Sequence, residues 1–310
     1  MAARRTAERI AALIRDTSSS LPADVEKALR AALRREVKGS GAATVLSTIL
    51  ANVRLARGKG TPLCQDTGTL AFFVDERLRA KVTPAAIGEA VAKATELGYL
   101  RRNTIDSVSG RSVDTNVCEG APVIHYVVSP SCKAEAALPH HAPRIANHEP
   151  PPTITLLMKG GGSENMSRQY SLPDASLGAG RDLEGVRRCV LDAVFRAQGY
   201  GCAPGILGVC IGADRATAYE VAKEQLLRPL SREGESKDPV LRKLEKTLLK
   251  EANSLGIGPM GLGGKTTLLG VRIASRPRVP ASFFVTVAYM CWACRRGSLK
   301  FEVQSSKFKV

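Results

Sequence analysis

Aromatic residues make up only 5% of this 310-residue sequence, and tryptophan occurs once. A chain so poor in flat side chains offers little stacking surface for single-stranded nucleic acid. No apolar run approaches the roughly 18 residues that span a bilayer, so no helical membrane span is expected. Histidine is scarce as well, with four copies. His140, His141 and His148 crowd one segment and only His125 lies in a strand-like run, so histidine supplies no zinc triad.

What is present is a core and a strong positive charge. Hydrophobic residues reach 44% and charged residues 24%, as in an ordinary globular chain. Lys and Arg number 45 against 29 Asp and Glu, a formal charge of +16. Such a field attracts phosphate, but the cations are scattered through helical pattern rather than gathered in one tract. An anionic small substrate or an acidic partner subunit accounts for the charge equally well. The opening MAARRTAERIAALIRD is arginine-rich but carries Glu8 and Asp16 and continues as helical pattern. It reads as a first domain helix rather than a transit peptide, and the expected location is cytoplasmic. Eight cysteines would allow a disulfide framework. A chain this long needs no staples, so a reducing compartment and free thiols are expected.

Helices dominate the first sixty residues. Val25, Leu29, Leu33 and Val37 recur every fourth position after Leu21–Pro22, and Val45, Leu46, Ile49, Leu50 and Val53 share a face after Gly41, with Gly58 as the expected C-terminal cap. TLAFFV reads as a strand, and Thr83–Pro84 as the cap and first residue of a helix that stops near Gly98. PVIHYVV, TITLLM, ILGVCIG, LLGVRIA and FFVTVAY read as further strands. Helical pattern returns at 182–198, 215–227 and 239–254. The Pro- and His-rich segment 129–151 lacks apolar periodicity and reads as an exposed loop. The fold class is therefore α/β, or mixed α+β: a helical N-terminal segment, then mixed sheets flanked by helices. No internal repeat and no clean domain boundary is visible.

Two glycine runs stand out. Lys159-Gly160-Gly161-Gly162-Ser163-Glu164-Asn165 follows the strand TITLLM, and its glycines allow positive φ and close approach of backbone amides to a ligand. The second, from Gly256 to Thr267, ends in GKTT. Its glycine spacing is wrong for a P-loop, position 259 is proline, and strand rather than helix follows. Anion binding there remains open; nucleotide hydrolysis does not.

The cysteines divide by setting. Cys118, Cys132, Cys189 and Cys210 lack special neighbours and read as buried or incidental thiols. Cys64 in CQDTG, Cys202 in GYGCAPG and Cys291 in YMCWACRR each adjoin a loop or strand end. Cys291 and Cys294 form a C-x-x-C, with no second such pair to complete a zinc site. Spacing leaves two readings open: structural thiols, or an iron–sulfur cluster assembled by the fold on three cysteines, with one iron open to act as a Lewis acid.

PLCQDTG, KGGGSEN, GCAPGILGVCIG and GIGPMGLGGKTT, in this order, resemble the α subunit or N-terminal domain of the class I iron–sulfur hydro-lyases, the class I fumarate hydratases and L(+)-tartrate dehydratases. The likeness runs from about Leu21 to Arg296, so residues 1–296 are expected to form one cluster-binding domain and 297–310 an unassigned tail. The resemblance implies a [4Fe–4S] cluster held by Cys64, Cys202 and Cys291, with Cys294 the rival for the third place. It implies that the cluster loops sit at strand ends. It implies substrate contacts from Gln65 and Asp66, with Asp66 as an acid/base group. Arg101 matches a substrate arginine, with Arg102 its rival, and Gly161 and Gly162 would offer backbone amides to a carboxylate.

The implied reaction is reversible hydration of fumarate to L-malate, or alternatively dehydration of L(+)-tartrate to oxaloacetate. The implied partners are a dicarboxylate substrate and a β subunit, in a heterotetramer or larger assembly. A non-enzymatic, basic nucleic-acid-binding protein is the reading from another class. The run VDTNVCEG departs from the family pattern, which leaves Asp114, Asn116 and His125 without an assigned role.

Overall fold

A computed structural model describes residues 2–128 and 150–302. In chain order the elements begin with helices α1 (Ala2–Ser19), α2 (Ala23–Arg35) and α3 (Gly41–Lys59), then strand β1 (Thr69–Asp75), α4 (Pro84–Glu96), β2 (Val123–Val127) and β3 (Thr153–Lys159). The short helix α5 (Gly161–Asn165) follows, then β4 (Arg168–Ser171), α6 (Leu183–Ala197), β5 (Gly205–Gly212), α7 (Arg215–Gln225) and α8 (Pro239–Ser254). Strands β6 (Leu268–Arg276), β7 (Phe284–Met290) and β8 (Arg295–Lys300) complete the chain. The fold is mixed α/β, as expected. Among the described residues no helix is long and apolar enough to cross a membrane. Nearly all of the segment 129–151 lies outside the described residues.

The chain divides into two compact units that interleave in sequence. The first comprises residues 1–19, 60–158 and 296–310. Its sheet has the order β2-β1-β3-β8, with β1 and β2 parallel and Phe73 opposite His125. Ile10 and Ile14 of α1 and Ile87 and Val91 of α4 bury with Phe72, Val74, Ile154 and Leu156 of the sheet. Helix α4 starts as its sequence dictates: the Thr83 hydroxyl accepts the Ala86 N–H and Pro84 takes the first turn, where a missing N–H costs nothing.

The second unit comprises residues 20–59 and 159–295. Its sheet order is β4-β7-β5-β6, with β5 parallel to β6 and antiparallel to β7. Strand β5 is buried on both faces, so its residues alternate between two helical layers. Leu207 and Val209 meet Val186, Val190 and Val194 of α6 and Leu244 and Leu248 of α8. On the other face α7 comes so close that a Cβ at Gly208 would stand 2.0 Å from the Ala222 carbonyl oxygen. Only glycine admits that helix.

Two details of the N-terminal helices differ from expectation. Val37 is 63% exposed, because the chain leaves helical geometry at Glu36 (ψ 155°) and ends the four-residue stripe one step early. Helix α3 runs through Gly58 and stops before Gly60, whose φ of +64° is the left-handed value a C-terminal cap requires.

Candidate active site

In the first unit the CQDTG loop leads into β1. Leu63 is buried and donates its N–H to the Ser18 carbonyl at 2.9 Å, which fixes the entry to Cys64. Cys64 and Asp66 are half-buried and Gln65 is exposed. Thr67 is fully buried, and its hydroxyl accepts the Arg101 N–H at 3.2 Å. Gly68 turns the chain at φ +79° into the strand. The Asn103 amide stands 3.4 Å from both the Asp66 carboxylate and the Thr67 hydroxyl. Its oxygen accepts the Gly68 N–H at 3.2 Å and its nitrogen donates to the Arg101 carbonyl at 3.1 Å. The structure thus ties the segment carrying Gln65 and Asp66 to the segment carrying Arg101.

The pin of this corner is Asn116, which sequence reasoning left without a role. It is 2% exposed, adopts φ +57°, and its side-chain oxygen accepts the N–H groups of Asn103 and Thr104 at 3.2 and 3.0 Å. Its amide nitrogen donates to the Arg101 carbonyl at 2.7 Å and the Thr95 hydroxyl at 3.0 Å. One side chain therefore satisfies four groups of the loop and helix around Arg101. Asparagine tolerates the left-handed region better than other side chains, and that is the signal in VDTNVCEG that could have found it. Arg101 and Arg102 are both exposed but differ in their partners. Arg102 faces Asp114 at 3.5 Å, whereas Arg101 has no carboxylate partner among the described residues. His125 stacks on Phe73 at 5.0 Å, a packing role.

In the second unit Cys202 and Cys291 share a corner. Cys202 is exposed at φ +53°, a conformation that costs a non-glycine residue free energy and clusters at functional sites. Trp292 donates its N–H to the Cys202 carbonyl at 3.2 Å, joining the Cys202 loop to the chain just past β7. Cys291 is half-buried and Cys294 fully buried. Burial pushes the Cys291 thiol up to about 12, partly offset by Arg295. It is protonated at neutral pH and would lose its proton to a metal. Cys189 and Cys210 are buried with thiols pushed up to about 12 and about 11, which fits inert core residues.

The KGGGSEN run packs against β7. Its glycines do not take positive φ as expected: Gly160 has φ −64° and caps α5, and Gly161 and Gly162 occupy the first helical turn. Both are exposed, and nothing lies within 4 Å of a Cβ built at Gly162. The space above this backbone is open, which is what a close ligand approach needs. Lys159, 3% exposed, reaches Glu164 at 2.5 Å and the Ser167 hydroxyl at 3.3 Å, and Glu164 also meets Lys223 at 2.6 Å. Burial lowers the Lys159 pKa against the opposing pull of Glu164. Ser167 in turn accepts the Tyr289 N–H at 3.2 Å, so the network runs from the glycine loop to β7.

The second glycine run buttresses the Cys202 loop. Met260 donates its N–H to the Ala203 carbonyl at 2.9 Å, next to Cys202. The Lys265 N–H is already taken by the Glu36 carboxylate at 2.9 and 3.0 Å, which would repel an anion. The strand β6 begins at Leu268, as the P-loop exclusion required.

Does this chemistry suit an iron–sulfur group? Among the described residues no three His, Cys, Asp or Glu side chains stand together as a site for one ion. Cluster ligands bind different irons and stand further apart than the ligands of one ion, so this observation on the described residues does not bear on a cluster. The Cys202–Cys291 corner offers soft sulfur donors, and the hydroxyl of the neighbouring Tyr289 is buried with no hydrogen-bond partner among the described residues. The corner fits the group.

The family model described as Fumarate hydratase (Fumerase) matches residues 7–300. The chain belongs to the fumarate hydratase family. A Geobacillus stearothermophilus protein assigned as a class I fumarate hydratase is 42% identical over 92% of the chain, which covers 52% of that relative. The chain thus spans about half the length of that relative. A Methanocaldococcus jannaschii protein assigned as an L(+)-tartrate dehydratase subunit alpha is 32% identical over 94% of the chain and 96% of its own length. The Escherichia coli K12 L(+)-tartrate dehydratase subunit alpha is 29% identical over 91% of the chain and 86% of its own length.

Proposed function

We propose that this chain is the α component of an iron–sulfur hydro-lyase that interconverts fumarate and L-malate. The observation that carries the site is the corner in which Cys202, held at positive φ, meets the segment of Cys291. The 42% identity to the Geobacillus protein supports fumarate as substrate. Cys64, Cys202 and Cys291 hold a [4Fe–4S] cluster; Cys291 is preferred to Cys294 because the latter is fully buried. When bound, the cluster supplies a Lewis acid for the substrate oxygen.

The chain's own residues do the rest. Arg101, with no carboxylate of its own among the described residues, clamps a substrate carboxylate in a charge-assisted pair. To the other carboxylate we assign the Gln65 amide and the backbone N–H groups of Gly161 and Gly162. Asp66, half-buried two residues from Cys64, moves the proton at its carboxylate oxygen. A β subunit completes the enzyme, a reading supported by the subunit-alpha names of the tartrate dehydratase relatives. Those names also favour dehydration of L(+)-tartrate as the second reading.

The test is a paired assay. The reconstituted chain, co-expressed with a candidate β subunit, is supplied anaerobically with fumarate and with L(+)-tartrate. Malate formation with negligible tartrate turnover supports the first reading, and the reverse supports the second. An active complex that loses nothing on Arg101→Ala refutes the substrate role of Arg101.

A further inference from the structure

Tyr289 is one of the largest fully buried side chains of the second unit, at 1% exposed. Its ring is seated by two glycines. A Cβ at Gly201 would stand 2.3 Å from the ring, and one at Gly205 would stand 2.5 Å from the hydroxyl oxygen. These glycines bracket Cys202, so GYGCAPG is shaped around this phenol as well as around its cysteine. Cys291 lies two residues past Tyr289, just beyond the end of β7. Both thiols lie within electrostatic reach of the phenol.

The hydroxyl at the end of that ring has no hydrogen-bond partner among the described residues. Phenylalanine would fill the same volume without burying an unpaired donor, and buried polar groups are almost always paired. The core cluster to which Tyr289 belongs is built of apolar side chains such as Leu207, Val209 and Val287, which carry no acceptor of their own. The acceptors that a bound iron–sulfur group would bring are sulfide and thiolate sulfurs.

We propose that the Tyr289 hydroxyl donates a hydrogen bond to a sulfur of the cluster at the Cys202–Cys291 corner and so raises its reduction potential. The inference rests on the cluster reading above. A donor aimed at sulfur stabilises the more negative, reduced state, which is how hydrogen bonds to sulfur set cluster potentials. Tyr289 is then a positioning and tuning residue, not one that touches the substrate.

The experiment compares anaerobically reconstituted wild type and Y289F. Iron and sulfide contents come first: a wild type that takes up no cluster overturns both the cluster reading and this inference. With cluster present in both, an EPR-monitored redox titration is expected to give a lower midpoint potential for Y289F at unchanged iron content. Identical potentials would overturn the inference and leave the cluster reading standing. A measurement on wild type alone guards against a misfolded variant. Its iron–sulfur stretching bands should shift in resonance Raman spectra on transfer to deuterium oxide, and bands that do not move would count against the bond.

Discussion

Trp292 donates its backbone N–H to the carbonyl oxygen of Cys202 at 3.2 Å. The bond joins the GYGCAPG loop to the segment that begins with Cys291, so two cysteines distant in sequence are set by one backbone contact. Gly199 tightens the same loop from the other side, where a Cβ would stand 2.5 Å from the Met260 carbonyl oxygen. The cysteine loop is thus held by backbone on both flanks, and several consequences can be measured.

Replacing Gly208 by Ala puts a methyl group where the Ala222 carbonyl oxygen lies, 2.0 Å away. Helix α7 must lift from the sheet, at a cost of about 3 kcal/mol. Urea denaturation of G208A should show a midpoint lowered accordingly. An unchanged midpoint would mean that the helix does not pack this closely on β5.

Asn116→Ala removes the acceptor for the Asn103 and Thr104 N–H groups and places alanine at φ +57°. The expected loss is about 2–4 kcal/mol, from unsatisfied amides and left-handed strain. In the active complex the variant should also raise KM for the dicarboxylate, because the loop carrying Arg101 loosens. Stability within error of wild type would contradict the assignment.

Lys159→Met leaves Glu164 with Lys223 alone and breaks the tie to Ser167. Because Glu164 keeps one cation at 2.6 Å, a loss of about 1–3 kcal/mol is expected rather than the full cost of an orphaned buried charge. Chemical denaturation checks the size. A stabilised variant would show that the network costs more than it contributes.

Glu26 pairs with Arg30 on its own helix α2 at 2.5 Å and joins α2 to α3 through Arg57 at 2.6 Å. The Arg57 hydrogen bond, with help from Arg30, holds its pKa below the ordinary carboxylate value, against the upward push of burial. A depressed folded-state pKa stabilises above the unfolded value of about 4.3, and that contribution is lost as pH falls through the folded value. Wild type should therefore melt higher than Glu26→Gln at pH 7, with the gap closing as pH falls below about 4. A gap independent of pH would remove the ion pairs as its cause.

The elements that announced themselves in sequence are those with strong local signals. Thr83, Pro84 and Gly98 bounded α4, and the apolar strands β1, β3, β5, β6 and β7 read directly from their composition. Strands β4 and β8 did not, because RQYS and RRGSLK are short, polar and lie at the edges of their sheets, where charged residues suit the solvent. Helix α5 was hidden for a different reason. Its glycines have low helix propensity, and the helix is held instead by a local bond from the Ser163 hydroxyl to the Gly160 carbonyl and by the ion pairs of Glu164 with Lys159 and Lys223.

At the site, the distinctive loops around Cys64, Cys202 and Cys291 were visible as glycine-bearing motifs. Their supports were not. Asn116 ties a loop a dozen or more residues away and Tyr289 packs against glycines more than eighty residues away, so no local pattern encodes those pairings, and Lys159 pairs within its own neighbourhood only because the chain turns into α5. The role of the GKTT loop was equally hidden, since its backbone partner, Glu36, precedes it by more than two hundred residues.

The most direct test of the cluster assignment is iron and acid-labile sulfide content after anaerobic reconstitution of wild type and Cys202→Ser, with Cys210→Ser as control. Wild type and the control should each hold about four irons per chain, and Cys202→Ser should lose most of its iron and its visible absorbance. A Cys202→Ser protein that kept the full cluster signal would contradict the assignment.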